Sequence, residues 1–392
     1  MTIFQIFVSG LSILYLITLL GIAAFGYHCL INIILYLKMR NHPMQTVPPE
    51  KIEKWPFVTV QLPIYNEKYT IERLLQAMTG LDYPADRLQI QVLDDSTDDT
   101  RQMVECMIDQ REAKNIKVDL IHRDDRAGYK AGALQNGLKT AEGEFIAVFD
   151  ADFVPEPDWL KKAIAGFCDP NIGCLQTRWG HLNRNANLLT QAVALGIDGH
   201  FMIEQVARSR NGLFMNFNGT AGIWRKSCIE DAGGWQPDTL TEDMDLSYRA
   251  QMRGWKISYL PEIEVPAELP IQVEAFKRQQ FRWAKGNFQV IRKLIPKLFR
   301  SDVPLRVKLM GLLHMSGYSI HPFMLLALLL MLPIGLFSPN LMRLYPWAAL
   351  ASFGPPAMIL LAKTDQLPRL ADRLKILPLS LMIGFGLSFS NT

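Results

Sequence analysis

The sequence predicts an α/β protein, in which a soluble domain with a Rossmann-like, mostly parallel sheet is joined to transmembrane helices. Two observations lead to this prediction. Charged residues are concentrated between positions 38 and 308, whereas residues 1–37, 309–342, 344–362 and 376–392 contain no Asp, Glu, Lys or Arg. Within the charged region, short apolar runs alternate with helical stretches, an order typical of sheets covered on both faces. The formal net charge of +3 over 392 residues excludes a dominant nucleic-acid-binding footprint.

The uncharged stretches predict membrane spans. Residues 11–37 exceed the roughly 20 apolar residues that a helix needs to cross the hydrocarbon core. Because Lys38 and Arg40 follow this stretch, we expect an uncleaved anchor, with the residues after it in the cytoplasm. Three further spans are expected, at residues 310–337, 346–362 and 376–392. No charge flanks the last one, so we expect that it ends at the far membrane surface or that the chain is cut short there.

Five strands are predicted in the soluble part of the chain: Phe57–Leu62, Leu88–Leu93, Lys117–His122, Glu144–Phe149 and Ile172–Thr177. In a parallel sheet, ligands bind at the carboxyl ends of the strands. Polar clusters follow three of these strands, and we expect them to converge on one site. They are Asn66-Glu67, Asp94-Asp95 and the pair Asp150 and Asp152.

Asp150 and Asp152 form a DxD pattern directly after an apolar strand. Two carboxylates at one edge repel each other unless a cation lies between them. Their hard oxygen ligands suit Mg²⁺ or Mn²⁺, which often bridge protein carboxylates and substrate phosphates. The pattern alone is weak, because Asp243 and Asp245 repeat it, and an acidic helix cap is the alternative interpretation.

Three other segments carry candidate chemistry. The acidic run 94–99 does not fit an EF-hand, because Asp99 occupies the position that needs glycine; its carboxylates can instead accept hydrogen bonds from a nucleoside. Arg123, Arg126 and Lys130, beside glycines, suit a diphosphate, with a solvated charge cluster as the alternative. Asp243 follows a glycine-rich stretch and could act as a general base toward a hydroxyl. The scattered cysteines and histidines show no zinc or disulfide spacing.

The segment 270–300 has eight Lys or Arg residues, one acid and interleaved aromatic residues. A basic amphipathic helix beside a membrane span favours the membrane interface over nucleic acid. The chain therefore divides into four predicted parts: an anchor at 1–40, a soluble domain at 41–268, interface helices at 269–305 and C-terminal transmembrane helices at 306–392.

Seven stretches in order resemble the membrane-bound family 2 glycosyltransferases, and in particular the cellulose-synthase-like enzymes that make mannan and glucan backbones. Ceramide glucosyltransferases share the same outline. The stretches are QLPIYNE (61–67), VLDDSTDDT (92–100), GYKAGALQNG (128–137), FDADFVPEPDWL (149–160), FNGTAGIWR (217–225), TEDMDLSYR (241–249) and QQFRW (279–283).

The resemblance implies a GT-A fold and inverting transfer of a sugar from a nucleotide donor. It implies that Asp243 is the base and that Asp150 and Asp152 hold the metal ion. The residues implied to bind the donor are Tyr65, Glu67, Asp94, Asp95, Lys130, Asp150 and Arg282. Those implied to bind the acceptor are Gln279, Trp283, Phe217, Gly219, Thr220 and Glu242.

The resemblance leaves the donor open between UDP-glucose and GDP-mannose, and the acceptor open between a growing β-glycan and a lipid. A polymer-forming enzyme is the leading hypothesis, a single-transfer glycolipid synthase is the alternative, and a transporter or receptor is a distant third. We expect a multi-pass protein in contact with membrane lipids, in a plasma, inner or Golgi membrane. The single anchor before the catalytic domain differs from bacterial cellulose synthase and puts a complete translocation channel in doubt.

Overall fold

The computed structural model describes residues 2–109, 116–344, 346 and 350–392. Within these ranges, seven strands form one sheet in the order β3-β2-β1-β4-β6-β5-β7. The strands are β1 Val58–Ile64, β2 Leu88–Asp94, β3 Lys117–His122, β4 Phe145–Val148, β5 Ile172–His181, β6 Gly222–Arg225 and β7 Lys256–Ala267.

The sheet is mostly parallel, as predicted. Strands β1 to β4 run parallel to one another, and β7 runs parallel to β5. Strand β6 is antiparallel to both β4 and β5. The sequence did not predict β6 or β7, because β6 has only four residues and β7 contains Pro261 and Pro266, which weaken a strand signal.

Helices cover both faces of the sheet and bury its apolar side chains. On one face, α2 Ile71–Thr79, α3 Thr100–Asp109 and α5 Trp159–Ile164 bury their apolar side chains together with those of β1, β2, β4 and β7. On the other face, α4 Tyr129–Gly137 packs over β1 and β2, α8 Lys226–Asp231 over β5 and β6, and α9 Glu242–Met252 over β7. Because both faces of the sheet are covered, nearly every residue of β1 and β2 is buried.

Between β5 and β6 the chain forms α6 Leu188–Gly199, a π-helical turn at His200–Glu204, and α7 Gln205–Arg210. After β7 it forms α10 Val273–Arg300 and α11 Leu305–Met315. Helix α10 lies in the predicted interface segment and exposes three phenylalanines among its basic side chains: Phe281, Phe288 and Phe299.

The remaining helices are α1 Ile3–Met39, α12 Ile320–Phe337, α13 Gly354–Leu361 and α14 Leu370–Ser390. In the described part of the chain, two helical segments are long and apolar enough to cross a membrane: Ile3–Met39, with a mean hydropathy of 2.3, and Gly317–Phe337, with 2.2. They overlap the predicted spans 11–37 and 310–337. The predicted span 346–362 includes positions outside the described residues, and it and the span at 376–392 stay predictions.

Candidate active site

Lys130 is the centre of a polar cluster at the carboxyl edge of the sheet. Its Nζ donates to Asp150 Oδ1 at 2.5 Å and to the carbonyl of Gly219 at 2.9 Å. The same atom lies 3.9 Å from Glu242 Oε1. The structure therefore brings together residues from four separate motifs of the sequence.

Local backbone geometry explains how these groups meet. Gly128 (φ 73°) and Tyr129 (φ 49°) have left-handed conformations where α4 begins, which directs Lys130 toward β4. Gly219 is also left-handed (φ 84°), and a Cβ there would lie 3.0 Å from Asp243 Oδ2. A side chain at Gly219 would therefore crowd the carboxylate that the sequence predicts as the base.

Carboxyl groups outnumber the cation in this cluster. Burial, and then repulsion from Asp150, raises the pKa of Asp152 to about 7. Burial, and then Glu242, raises the pKa of Asp243 to about 7. Burial likewise raises the pKa of Glu67 and of Glu242.

Burial alone would lower the pKa of Lys130, but the carboxylates of Asp150 and Glu242 raise it overall. One ammonium group thus serves a cluster of five acids: Glu67, Asp150, Asp152, Glu242 and Asp243. Such an excess of negative charge fits a divalent cation at Asp150 and Asp152. The described residues contain no group of three or more His, Cys, Asp or Glu side chains arranged to hold a metal ion.

Asp94 and Asp95, predicted to contact a nucleoside, both have partners within the protein. Asp94 is fully buried and accepts from the backbone N–H of Ser96 at 3.0 Å; its other oxygen lies 2.7 Å from His122 Nδ1. Asp95 accepts two hydrogen bonds from Arg123, at 2.8 and 2.5 Å. A nucleoside at this edge would meet a neutralised Asp95–Arg123 pair.

Arg126 lies over the aromatic ring of Tyr65. Its guanidinium carbon is 3.3 Å from the centre of that ring and 5.3 Å from the centre of the Tyr129 ring. Arg123 and Lys130 are bound to carboxylates, whereas Arg126 has no carboxylate within salt-bridge distance among the described residues. Of the three side chains predicted to bind a diphosphate, Arg126 is therefore the one whose charge is not neutralised by a carboxylate among the described residues.

Two residues of the loop 217–220 do not have the position expected for acceptor contacts. Phe217 is fully buried and packs against Trp224 and Trp235, with ring centres 5.7 and 6.4 Å apart. Thr220 is also fully buried, and its Oγ1 accepts from the backbone N–H of Asp150 at 2.9 Å. Burial excludes direct contact with a sugar, so these side chains shape the loop and the position of Asp150.

Helix α10 carries the three predicted residues Gln279, Arg282 and Trp283. Arg282 is exposed and Trp283 is half-buried, so both can meet a ligand. Arg282 lies near enough to Glu242 to oppose the rise in the pKa of that carboxyl. One turn further along, Gly286 contacts Thr241, the residue before Glu242, and this contact fixes α10 against the start of α9.

A sequence profile of the family described as "Glycosyltransferase like family 2" matches residues 56–286, which is more than half of the chain. The chain belongs to this family. The matched segment runs from β1 to the middle of α10 and includes every predicted site residue.

Curated members of the family with similar sequences include two from Arabidopsis thaliana. "Glucomannan 4-beta-mannosyltransferase 2" is 45% identical over 63% of this chain and 47% of its own length. "Probable glucomannan 4-beta-mannosyltransferase 10" is 35% identical over 86% of this chain and 64% of its own length. The chain thus spans about half to two thirds of these relatives.

Among solved structures, the mannosyltransferase PcManGT from Pyrobaculum calidifontis, in complex with GDP-Man and Mn²⁺, has a similar fold. The TM-score is 0.62 at 22% sequence identity, over 94% of this chain and 98% of that protein. At this identity the similarity concerns the fold alone.

Several residues that shape this family 2 site were absent from the sequence-based assignment. They are Gly286, which allows α10 to approach Thr241, and His200 and Glu204, which lie behind the loop 217–220. A glycine within a helix four residues from a QxxRW motif could have drawn attention to Gly286. Nothing in the sequence marks His200 or Glu204, because the link from this pair to His28 and Asn218 depends on the fold.

Proposed function

We propose that the chain transfers a hexose, mannose in the first instance, from a nucleoside diphosphate sugar to a glycan acceptor, with inversion at the anomeric carbon. The observation that carries this proposal is the acidic cluster around Lys130. There, the carboxyl groups of Asp150 and Asp152 carry an excess of negative charge that suits a cation. A separate carboxyl group, that of Asp243, lies beside them and has its pKa raised to about 7. A diphosphate leaving group needs the first feature, and an attacking hydroxyl needs the second.

Asp243 is the proposed base. Its side chain is partly exposed, and Oδ1 accepts from the backbone N–H of Met244 at 2.7 Å, which fixes the carboxyl group at the first turn of α9. A pKa near the working pH makes a carboxylate an effective acceptor for the proton of an alcohol. As the hydroxyl oxygen attacks the anomeric carbon, Asp243 takes its proton, and the bond to the nucleoside diphosphate breaks on the opposite side.

Positive charge at the site stabilises the departing diphosphate. We assign this role to Lys130 and Arg282, and we add Arg126 because it lacks a carboxylate partner among the described residues. A divalent cation, Mg²⁺ or Mn²⁺, held by Asp150 and Asp152, would supply additional charge neutralisation for the phosphates. Asp243 alone suffices as a proton-transfer residue, since the diphosphate is a good leaving group without protonation.

The names of the relatives favour a mannosyl donor and a β-mannan or glucomannan acceptor, and the donor in the structural neighbour is GDP-mannose. The apolar helices α1 and α12 and the exposed phenylalanines of α10 support an enzyme at a membrane surface. We propose that the catalytic domain lies on the cytoplasmic side, because basic residues follow the anchor.

The test uses the full chain in membranes or nanodiscs, incubated with radiolabelled GDP-mannose, GDP-glucose, UDP-glucose and UDP-N-acetylglucosamine. We expect incorporation from GDP-mannose into a β-glycan and loss of that incorporation in Asp243→Asn, with nucleotide binding retained. Asp238→Asn is the matched control, because this acid lies five residues earlier and binds Lys293, outside the cluster. If the product is a single sugar on a lipid, the chain is a glycolipid synthase and not a polymer-forming enzyme. Full turnover in Asp243→Asn would refute the assignment of Asp243 as the base.

A further inference from the structure

A string of polar side chains connects the apolar helix α1 to the loop 217–220. It comprises His28 on α1, Arg208 on α7, Glu204 and His200 on the π-helical turn, and Asn218 in the loop. Arg208 Nη1 lies 3.2 Å from His28 Nε2 and 3.8 Å from Glu204 Oε1. Glu204 Oε2 lies 3.0 Å from His200 Nδ1, and His200 Nε2 lies 3.1 Å from Asn218 Nδ2. We call these five residues the polar string.

Burying such groups is costly, so their presence calls for a role. Arg208 is fully buried and the side chain of Glu204 is only 14% exposed. A buried ion pair typically stabilises no more than well-packed apolar side chains of the same volume. Two of its residues, His200 and Glu204, lie on a π-helical turn, a rare conformation that is frequent at functional sites.

The Glu204 carboxylate determines the direction of the hydrogen bonds beyond it. A carboxylate only accepts, so His200 must donate from Nδ1, and its Nε2 is then free to accept from the Asn218 amide. The Asn218 carbonyl in turn accepts from Gln205 Nε2 at 2.6 Å. Asn218 is therefore held in one orientation from both ends of its amide group.

The residue after Asn218 belongs to the active site. The carbonyl of Gly219 accepts from Lys130 Nζ at 2.9 Å, and a Cβ built on Gly219 would lie 3.0 Å from Asp243 Oδ2. A change in the position of Asn218 thus moves an acceptor of Lys130, the cation next to the leaving group. Displacements of about 1 Å at such groups can cost about a hundredfold in rate.

We propose that Glu204 is a positioning residue of the transferase, acting through His200 and Asn218 on Gly219 and Lys130, and that the polar string makes helix α1 a structural part of the active site. This inference rests on the proposed function, because its main readout is sugar transfer. It assigns a role to an ionisable group that lies outside every recognised motif of the chain.

The test separates positioning from charge compensation. In Glu204→Gln the charge of Arg208 loses its counter-charge, and His200 faces an amide group that can donate as well as accept. We therefore expect a lower Tm and a kcat reduced by about tenfold or more. In the double variant Glu204→Gln/Arg208→Met no charge is left uncompensated, although the carbonyls of Phe214 and Met310 lose their hydrogen bonds from Arg208. We therefore expect Tm to recover in part while kcat stays low. The double variant also keeps the test usable if the single variant does not fold.

The control is a second buried cluster, in which Asp198 binds His181 at 2.9 Å and Arg184 at 2.5 Å. In Asp198→Asn and Asp198→Asn/Arg184→Met, Tm and kcat are expected to fall and recover together. Recovery of kcat together with Tm in the Glu204→Gln/Arg208→Met variant would overturn the positioning role. Absence of turnover in the wild type with every nucleotide sugar would instead count against the proposed function.

Discussion

Replacing Gly286 with alanine tests the contact between α10 and the start of α9. A Cβ at this position would lie 2.5 Å from Thr241 Cγ2, 2.8 Å from Thr241 Oγ1 and 3.0 Å from its backbone nitrogen. Ordinary van der Waals contact begins at 3.4 Å. Because the backbone nitrogen cannot rotate away and Thr241 is buried, the two helices must separate by about 1 Å.

This separation acts on the chemistry more than on stability. Overpacking typically costs about 1–3 kcal/mol, and alanine regains about 1 kcal/mol over glycine within a helix. The net change in unfolding free energy is therefore small, about 0–2 kcal/mol. Thr241 directly precedes Glu242 and Asp243, so a displacement of about 1 Å at the base is expected to lower kcat by about a hundredfold.

The assay is initial-rate sugar transfer at saturating donor, with thermal unfolding measured on the same preparations. Gly196→Ala in α6 is the control, because no heavy atom lies within 4 Å of a Cβ built there. We expect this control to keep the wild-type kcat and a slightly raised Tm. A Gly286→Ala protein that retains at least half of the wild-type kcat would refute the claim that this contact positions Asp243.

Three further expectations follow from the site. Because the ionised form of Asp243 is the base and its pKa is about 7, kcat in a pH series should fall about fivefold from pH 7 to pH 6; a flat profile would contradict the assignment. Burial also raises the pKa of Asp152 in the folded state to about 7, above its ordinary value of 3.8, so the folded protein binds this proton more tightly than the unfolded chain does. Without divalent ions, the unfolding free energy should therefore decrease from about pH 4 to pH 7. Mn²⁺ should raise Tm more at pH 7.5 than at pH 5. Equal shifts of Tm at the two pH values would argue against a cation at Asp150 and Asp152. Arg126→Gln should weaken nucleoside diphosphate binding about tenfold by calorimetry, whereas Arg101→Gln, on an exposed ion pair of α3, should leave it unchanged.

The sequence was sufficient to predict that Glu67 lies near Asp150 and Asp152, because apolar runs followed by acids predict where parallel strands end. It also predicted the strand at Lys117–His122 with the observed bounds. It did not predict that Phe217 is a core residue, since an aromatic residue beside a glycine-rich loop resembles a binding residue until its burial is known. Nor did it show that Arg123 neutralises Asp95 while Arg126 stays unpaired among the described residues, because charge pairing depends on distances across the fold.

The order of apolar runs, glycines and acids by itself determined the fold class, the family and the edge of the sheet at which chemistry occurs, because these features depend on local propensity and on strand polarity. Tertiary structure alone decided three things: the reversed strand β6, the approach of α10 to Thr241 at Gly286, and the buried connection from α1 to Gly219 through Glu204. Each of these joins residues far apart along the chain. Contact, burial and ionisation depend on three-dimensional proximity, which the spacing of residues in a sequence does not encode.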